Sequence, residues 1–147
     1  MLIGKAELAR LIPHAGAMCL LDGVLAWDGE RVRCVAHTHR DAANPLRRDD
    51  GLHAIAAVEY AAQAMAVHGA LTHAVGERPR AGYLAALRDV VCRVARLDTL
   101  DHELIIDAER VMGDARNVIY RFCVGSESTP LVTGRATVIL EVVTQAA

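Results

Sequence analysis

Residues 52–75, LHAIAAVEYAAQAMAVHGALTHAV, constrain the chain more than any other stretch. The run is rich in Ala and Met, holds no proline and is far too long for a strand, so it predicts the one long helix of the protein. It is apolar on nearly every side, and a helix of that kind is normally buried within its own protein. Something must wrap it. Four β-rich stretches follow, at residues 82–94, 102–113, 117–125 and 131–143, separated by turn chemistry at 98–101, at Gly113-Asp114 and at 125–130. Upstream, residues 18–27 and 31–39 are predicted strands around Asp28-Gly29, a two-residue hairpin signal. Residues 6–12 predict a short helix stopped by Pro13, and residues 40–51 (RDAANPLRRDDG) a solvated loop. The expected class is α+β, with a long central helix wrapped by a curved antiparallel sheet of about six strands.

With 147 residues, 53 % hydrophobic and 23 % charged, and no internal repeat or linker, the chain fits one ordinary domain spanning 1–147. Its net charge of −2 creates no field that would draw it to nucleic acid or to an anionic membrane. One Trp, three Tyr and one Phe are too few stacking platforms for a single-strand binder. The longest uncharged stretch, residues 60–76, contains Gln63, His68 and His73 and is shorter than a bilayer span. Glu7 and Arg10 break the apolar character of the N-terminus, so no secretory leader is read there and a cytoplasmic location is expected. Cys19, Cys34, Cys92 and Cys123 form no C-x-x-C pair and are expected as buried, reduced thiols. His37 and His39 would share a strand face, but no third ligand accompanies them and no metal is expected. His68, His73 and His102 read as surface or loop residues.

Glu59 is the single acid in the helical run, set among Ala54, Ile55, Ala56, Ala57, Val58, Ala61 and Ala62. Burying a carboxylate costs several kcal/mol, or raises its pKa until it holds a proton. Gln63 follows one turn later on the same face. Two readings stand level on composition: an acid/base carboxyl oriented by the Gln63 amide, or a structural carboxyl bonded to a strand or a dimer partner.

The stretch Ile12-Pro13-His14-Ala15-Gly16-Ala17-Met18-Cys19-Leu20-Leu21-Asp22 resembles the P-H-x-x-P-F-L-L-V-D segment of 3-hydroxyacyl-(acyl carrier protein) dehydratases of the FabZ type. Val58-Glu59-Tyr60-Ala61-Ala62-Gln63-Ala64 is similar to their E-A-x-A-Q-A helix, and in detail closest to the divergent branch associated with aryl-polyene biosynthesis. Gly82-Tyr83-Leu84 and Gly134-Arg135-Ala136-Thr137 match in position, so the resemblance spans nearly the whole chain. It implies the hotdog fold, and Glu59 and Gln63 as site residues. It departs at one place: where the FabZ type has a G-H-F-P-G loop bearing a catalytic histidine, this chain reads Asn44-Pro45-Leu46-Arg47-Arg48. The divergent branch shares that loss, and His14 is the natural substitute.

Dehydration of a 3-hydroxyacyl thioester needs a base for the α-proton, an acid for the departing hydroxyl and a donor for the carbonyl. The resemblance gives the first two roles to His14 and Glu59, with Gln63 orienting; for the third, the backbone N–H groups at the helix start, near Leu52 and His53, are expected to polarise the thioester oxygen. His53 lies about 240° around the axis from Glu59, so within one chain its ring is a solvated or capping group. Sixteen basic residues include one lysine, Lys5; of the arginines, Arg47 and Arg48 are kept as contacts for an acidic carrier protein or its phosphopantetheine phosphate. No cofactor is implied. Expected partners are an acyl carrier protein or coenzyme A thioester and a second copy of the chain, because hotdog sheets commonly pair an exposed edge across a dimer, or a trimer of dimers. A hotdog thioesterase and a non-catalytic, carrier-binding subunit are the rival readings.

Overall fold

The long helix lies across three strands of one antiparallel sheet. The computed structural model describes residues 1–12, 16–73 and 82–141. In chain order the elements are β1 (Ile3–Gly4), α1 (Lys5–Leu11), β2 (Gly23–Trp27), β3 (Arg31–Ala36), α2 (Ala57–Thr72), β4 (Gly82–Cys92), β5 (Leu104–Gly113), β6 (Asn117–Gly125) and β7 (Pro130–Leu140). A 3-10 turn, Ala54–Ala56, leads into α2. All seven strands among the described residues join one sheet in the order β1-β2-β3-β5-β6-β7-β4, each pair antiparallel.

Period-2 alternation explains the core. Val32, Cys34 and Ala36 on β3, Leu104, Ile106 and Ala108 on β5, and Val118, Tyr120, Phe122 and Val124 on β6 are buried beneath α2. The helix answers with Ala57, Tyr60, Ala61, Ala64 and Val67. Gly134 on β7 permits a close approach: a Cβ there would stand 2.7 Å from the Phe122 ring.

Several expectations need correction. The sheet has seven strands because Ile3 and Gly4 pair with Val24 and Gly23, and two residues carry no alternation to read. β2 begins at Gly23 rather than 18, since Gly16–Met18 form a 3-10 turn. β3 stops at Ala36, and Thr38–Arg40 turn as a 3-10 helix, so His37 is exposed while His39 is fully buried and the two share no strand face. His68, expected at the surface, is buried, and Cys92, expected inside, is exposed. Asn44, read as part of a solvated loop, is buried as well.

The wrapping of α2 is incomplete. Ile55, Glu59, Ala62, Ala66 and Gly69 recur at alternating steps of four and three, one stripe that stays exposed or half-buried. β4 hangs at the sheet edge beyond the helix, with Tyr83, Leu84, Leu87 and Val91 exposed.

Candidate functional site

Glu59 sits in the first turn of α2, half-buried on the open stripe, with Ile55 before it and Ala62 and Ala66 after it. The small alanines leave room for a chain or ligand to come close to the carboxyl.

Gln63 is fully buried; its Nε2 donates to the Met18 carbonyl at 2.7 Å and its Oε1 accepts from the Leu20 N–H at 2.9 Å. Both ends of the amide are therefore engaged by the chain at residues 18–20, a grip that the sequence did not announce. Other groups reinforce the grip. Lys5 Nζ donates to the Cys19 carbonyl and to Asp22 Oδ1, both at 3.1 Å, and Asp22 Oδ2 accepts from the His37 N–H at 2.6 Å. Asn44 Nδ2 donates to Tyr60 Oη at 3.0 Å, the Tyr60 hydroxyl lies 2.8 Å from Thr38 Oγ1, and Thr38 Oγ1 donates to the Leu20 carbonyl at 2.7 Å. Asn44, in the stretch that replaces the expected histidine loop, thus belongs to a buried polar chain that ends on residue 20. Burial raises the Tyr60 pKa, which keeps its hydroxyl a neutral donor. His14 itself lies outside the described residues.

The helix start differs from expectation too. The Leu52 N–H donates to Asp98 Oδ1 at 2.9 Å, so it is not available to a thioester oxygen. Leu52 and His53 precede the 3-10 turn that leads into α2 and pair with the chain at Arg96 and Leu97 instead. The His53 ring is exposed, with Nε2 2.8 Å from Asp50 Oδ1, in keeping with a solvated residue. Asp98 is the group that sequence reading missed. It accepts from Arg96 at 2.6 and 3.1 Å and from Leu52, and Arg47 Nη2 stands 3.5 Å away. The Arg96 guanidinium, helped by the Leu52 N–H, holds its carboxyl well below the usual carboxylate range. Gly51, at φ +116°, belongs to the same knot, since a Cβ there would meet Arg96 Nη2 at 2.5 Å. Arg47 is thus partly committed to structure, whereas Arg48 is exposed and lines a shallow depression with Pro45, Leu46 and Asp49. The only available sequence signal for this knot was the close spacing of Arg96 and Asp98 after a β-rich run.

His68 forms a second buried polar set. One ring nitrogen, Nδ1, is 2.7 Å from Tyr120 Oη, and Nε2 is 3.0 Å from the Asp28 carbonyl. Since the carbonyl can only accept, Nε2 carries the proton and Tyr120 donates to Nδ1. Burial pushes the Tyr120 hydroxyl up to about 12. Among the described residues no group of three His, Cys, Asp or Glu is placed to hold a metal ion.

Comparison with known proteins fits this geometry. No curated protein sequence matches the chain. In the dehydratase heterocomplex ApeI:P from Xenorhabdus doucetiae, one chain matches at 28 % identity and TM-score 0.81, covering 91 % of this chain and 90 % of that one. A thioesterase from Haemophilus influenzae matches at TM-score 0.66 and 12 % identity over 96 % and 95 % of the two chains. A hypothetical thioesterase protein from Streptococcus pneumoniae, solved with coenzyme A, matches at TM-score 0.60 and 12 % identity over 80 % and 84 %. The two thioesterases share the hotdog architecture, and at their identities the likeness extends to the fold alone. The family model described as ApeP dehydratase matches residues 6–146. An α+β hotdog chain with a carboxyl on the open stripe of its central helix, matched over nearly its whole length by that model, belongs to the ApeP-like family of dehydratases.

Proposed function

We propose that the chain dehydrates a 3-hydroxyacyl thioester carried on acyl carrier protein, giving a trans-2-enoyl thioester in polyene-type lipid biosynthesis. The observation that carries this reading is the placement of Glu59 on the half-open stripe of α2, one helical turn before Gln63, whose amide grips the chain at Met18 and Leu20. In the proposed reaction a neutral His14 imidazole takes the α-proton, electrons move into the new Cα–Cβ double bond, and the Glu59 carboxyl gives its proton to the departing β-hydroxyl as water. The proton on His14 then returns to Glu59 and resets the pair. No cofactor enters. The exposed Arg48, and less so Arg47, remain the proposed contacts for the acidic carrier.

The site is proposed to be completed by a partner chain along the edge of β4, as a homodimer or as a pair with a homologous subunit. The heterocomplex of the solved relative favours considering the second arrangement. The test is product analysis with a 3-hydroxyacyl carrier substrate, using the chain alone and mixed with a homologous hotdog subunit. Enoyl thioester supports the proposal; free acid with free thiol means a thioesterase; absence of turnover in both samples with carrier binding retained means a carrier-binding subunit.

A further inference from the structure

The sheet face turned away from α2 is used neither by the proposed dehydration nor by the proposed pairing along the β4 edge. Its side chains follow from the register. Val118 and Tyr120 on β6 and Ala136 on β7 are buried on the α2 side, so Ile119, Arg121, Arg135 and Thr137 point the other way. Their cross-strand partners complete three parallel rows near the β4 edge. The middle row crosses four strands through Met112, Ile119, Thr137 and Ala86. On one side of it runs Asn117, Ile139, Tyr83, and on the other Arg121, Arg135, Arg88. Met112 is 67 % exposed, Tyr83 62 % and Ile139 45 %. Single exposed apolar side chains are ordinary, but in adjoining rows of one face these form a patch.

The patch has a positive flank. Arg135 and Arg88 are exposed and stand directly opposite each other on β7 and β4, where like charges are destabilising. Among the described residues neither guanidinium makes an ion pair or a hydrogen bond. Asp89 follows Arg88 where the register shifts, with φ +54°, and forms no ion pair with either arginine. The other acids of this face lie toward the opposite edge and are engaged there: Asp107 by Arg33 at 2.8 and 3.0 Å, Glu109 by Arg31 at 3.7 Å.

We infer that this face docks an amphipathic helix of a partner protein, its apolar ridge on the row from Met112 to Ala86 and its carboxylates along one flank, over Arg135 and Arg88. The dimensions agree. Four neighbouring strands about 4.8 Å apart make a row about 14 Å long, the rise of about ten helical residues. Rows two residues apart lie about 6.8 Å from one another, close to the radius of a helix with its side chains, so the flank of a helix seated on the middle row reaches the arginines. Guanidinium forks take carboxylates in bidentate pairs, and a carboxylate here also relieves the opposed charges. The chain's net charge of −2 favours this occupant over an anionic bilayer, which would repel the rest of the molecule. The sheet separates the face from Glu59, so a docked helix leaves the dehydration site open.

The probe is a fluorescein-labelled, helix-forming peptide of about 18 residues, with Leu at i, i+3, i+4 and i+7 and Glu along one flank, titrated with the full-length protein and followed by anisotropy. Its counterpart carries Lys in place of Glu. The expected result is saturable binding of the Glu peptide that weakens as salt rises, and at least tenfold weaker binding of the Lys peptide. Joint Arg88→Gln and Arg135→Gln substitution should weaken the Glu peptide at least tenfold without lowering the melting temperature, because it removes opposed like charges. Met112→Ser, at an exposed side chain, should weaken it about threefold, and Arg48→Gln should leave it unchanged. No saturable binding, equal binding of the two peptides, or unchanged affinity in the double-arginine variant overturns the proposal, and unchanged affinity in Met112→Ser overturns the apolar contact. Flotation with phosphatidylserine vesicles that is lost in the double-arginine variant assigns the face to a lipid surface and overturns it. An oligomer that dissociates in sedimentation on the same substitutions means that a second copy covers the face, and overturns it as well.

Discussion

At the scale of single residues, the site divides into groups that do chemistry and groups that hold them. Glu59→Gln preserves volume and hydrogen bonding but cannot deliver a proton; dehydration is expected to fall about 10²–10⁴-fold with the circular dichroism spectrum unchanged, and undiminished turnover would make Glu59 structural. Gln63→Leu leaves the Met18 carbonyl and the Leu20 N–H without their partner. Unfolding in urea should show a loss of about 1–3 kcal/mol for each group left buried and unsatisfied. His39 is a different case: it is fully buried, and among the described residues neither ring nitrogen has a partner at full hydrogen-bond geometry, the backbone at Leu100 and His102 being what faces it. Burial depresses the pKa of His39 and of His68 below the ordinary histidine value, so the folded protein holds both neutral. The unfolded chain takes up these protons near pH 6.5, so their contribution to stability is complete above about pH 6.5 and declines as pH falls below it, toward the folded values. The melting temperature should drop between pH 7.5 and 5.5, and His39→Met should flatten part of that slope; a slope identical to that of the parent would assign it to other groups.

Among the elements, α2 and β4 matter most. Strand β4 exposes Leu84 and Leu87 toward the open side of the sheet, where they pair with Val138 and Ala136. Leu87→Glu places a charge on that uncovered apolar edge, and sedimentation should then find monomer in place of the proposed dimer. The long elements were legible because their periods are sustained. The α2 run, the Asp28-Gly29 hairpin and the four strands after the helix all emerge from spacing and turn residues alone. Short or tertiary features were not. The two-residue β1 has no period, and the 3-10 turns at residues 16–18 and 38–40 lie inside stretches whose composition is strand-like. The open stripe of α2 was hidden because Ala62, Ala66 and Gly69 look as apolar as the buried positions beside them. Glu59 stood out because an acid in an alanine-rich helix is conspicuous, whereas Asp98 looked like ordinary turn chemistry. Its role depends on Leu52 and Arg47, more than forty residues away.

The whole molecule has an order in space that differs from its order in sequence. β4 follows α2 in the chain, yet it takes the far edge, beside β7, while β3 pairs with β5 across the intervening segment. Long-range pairing of this kind makes folding slower than in a meander of neighbours. During synthesis the exposed strand Gly82–Cys92 is finished well before Pro130–Leu140, its one strand neighbour among the described residues, begins to appear. At about 5–20 residues per second, the intervening stretch of about forty residues keeps this apolar strand waiting for several seconds on the ribosome. Nascent chains on neighbouring ribosomes, each with the same unclaimed strand, are then in a position to find one another before either has finished its own sheet.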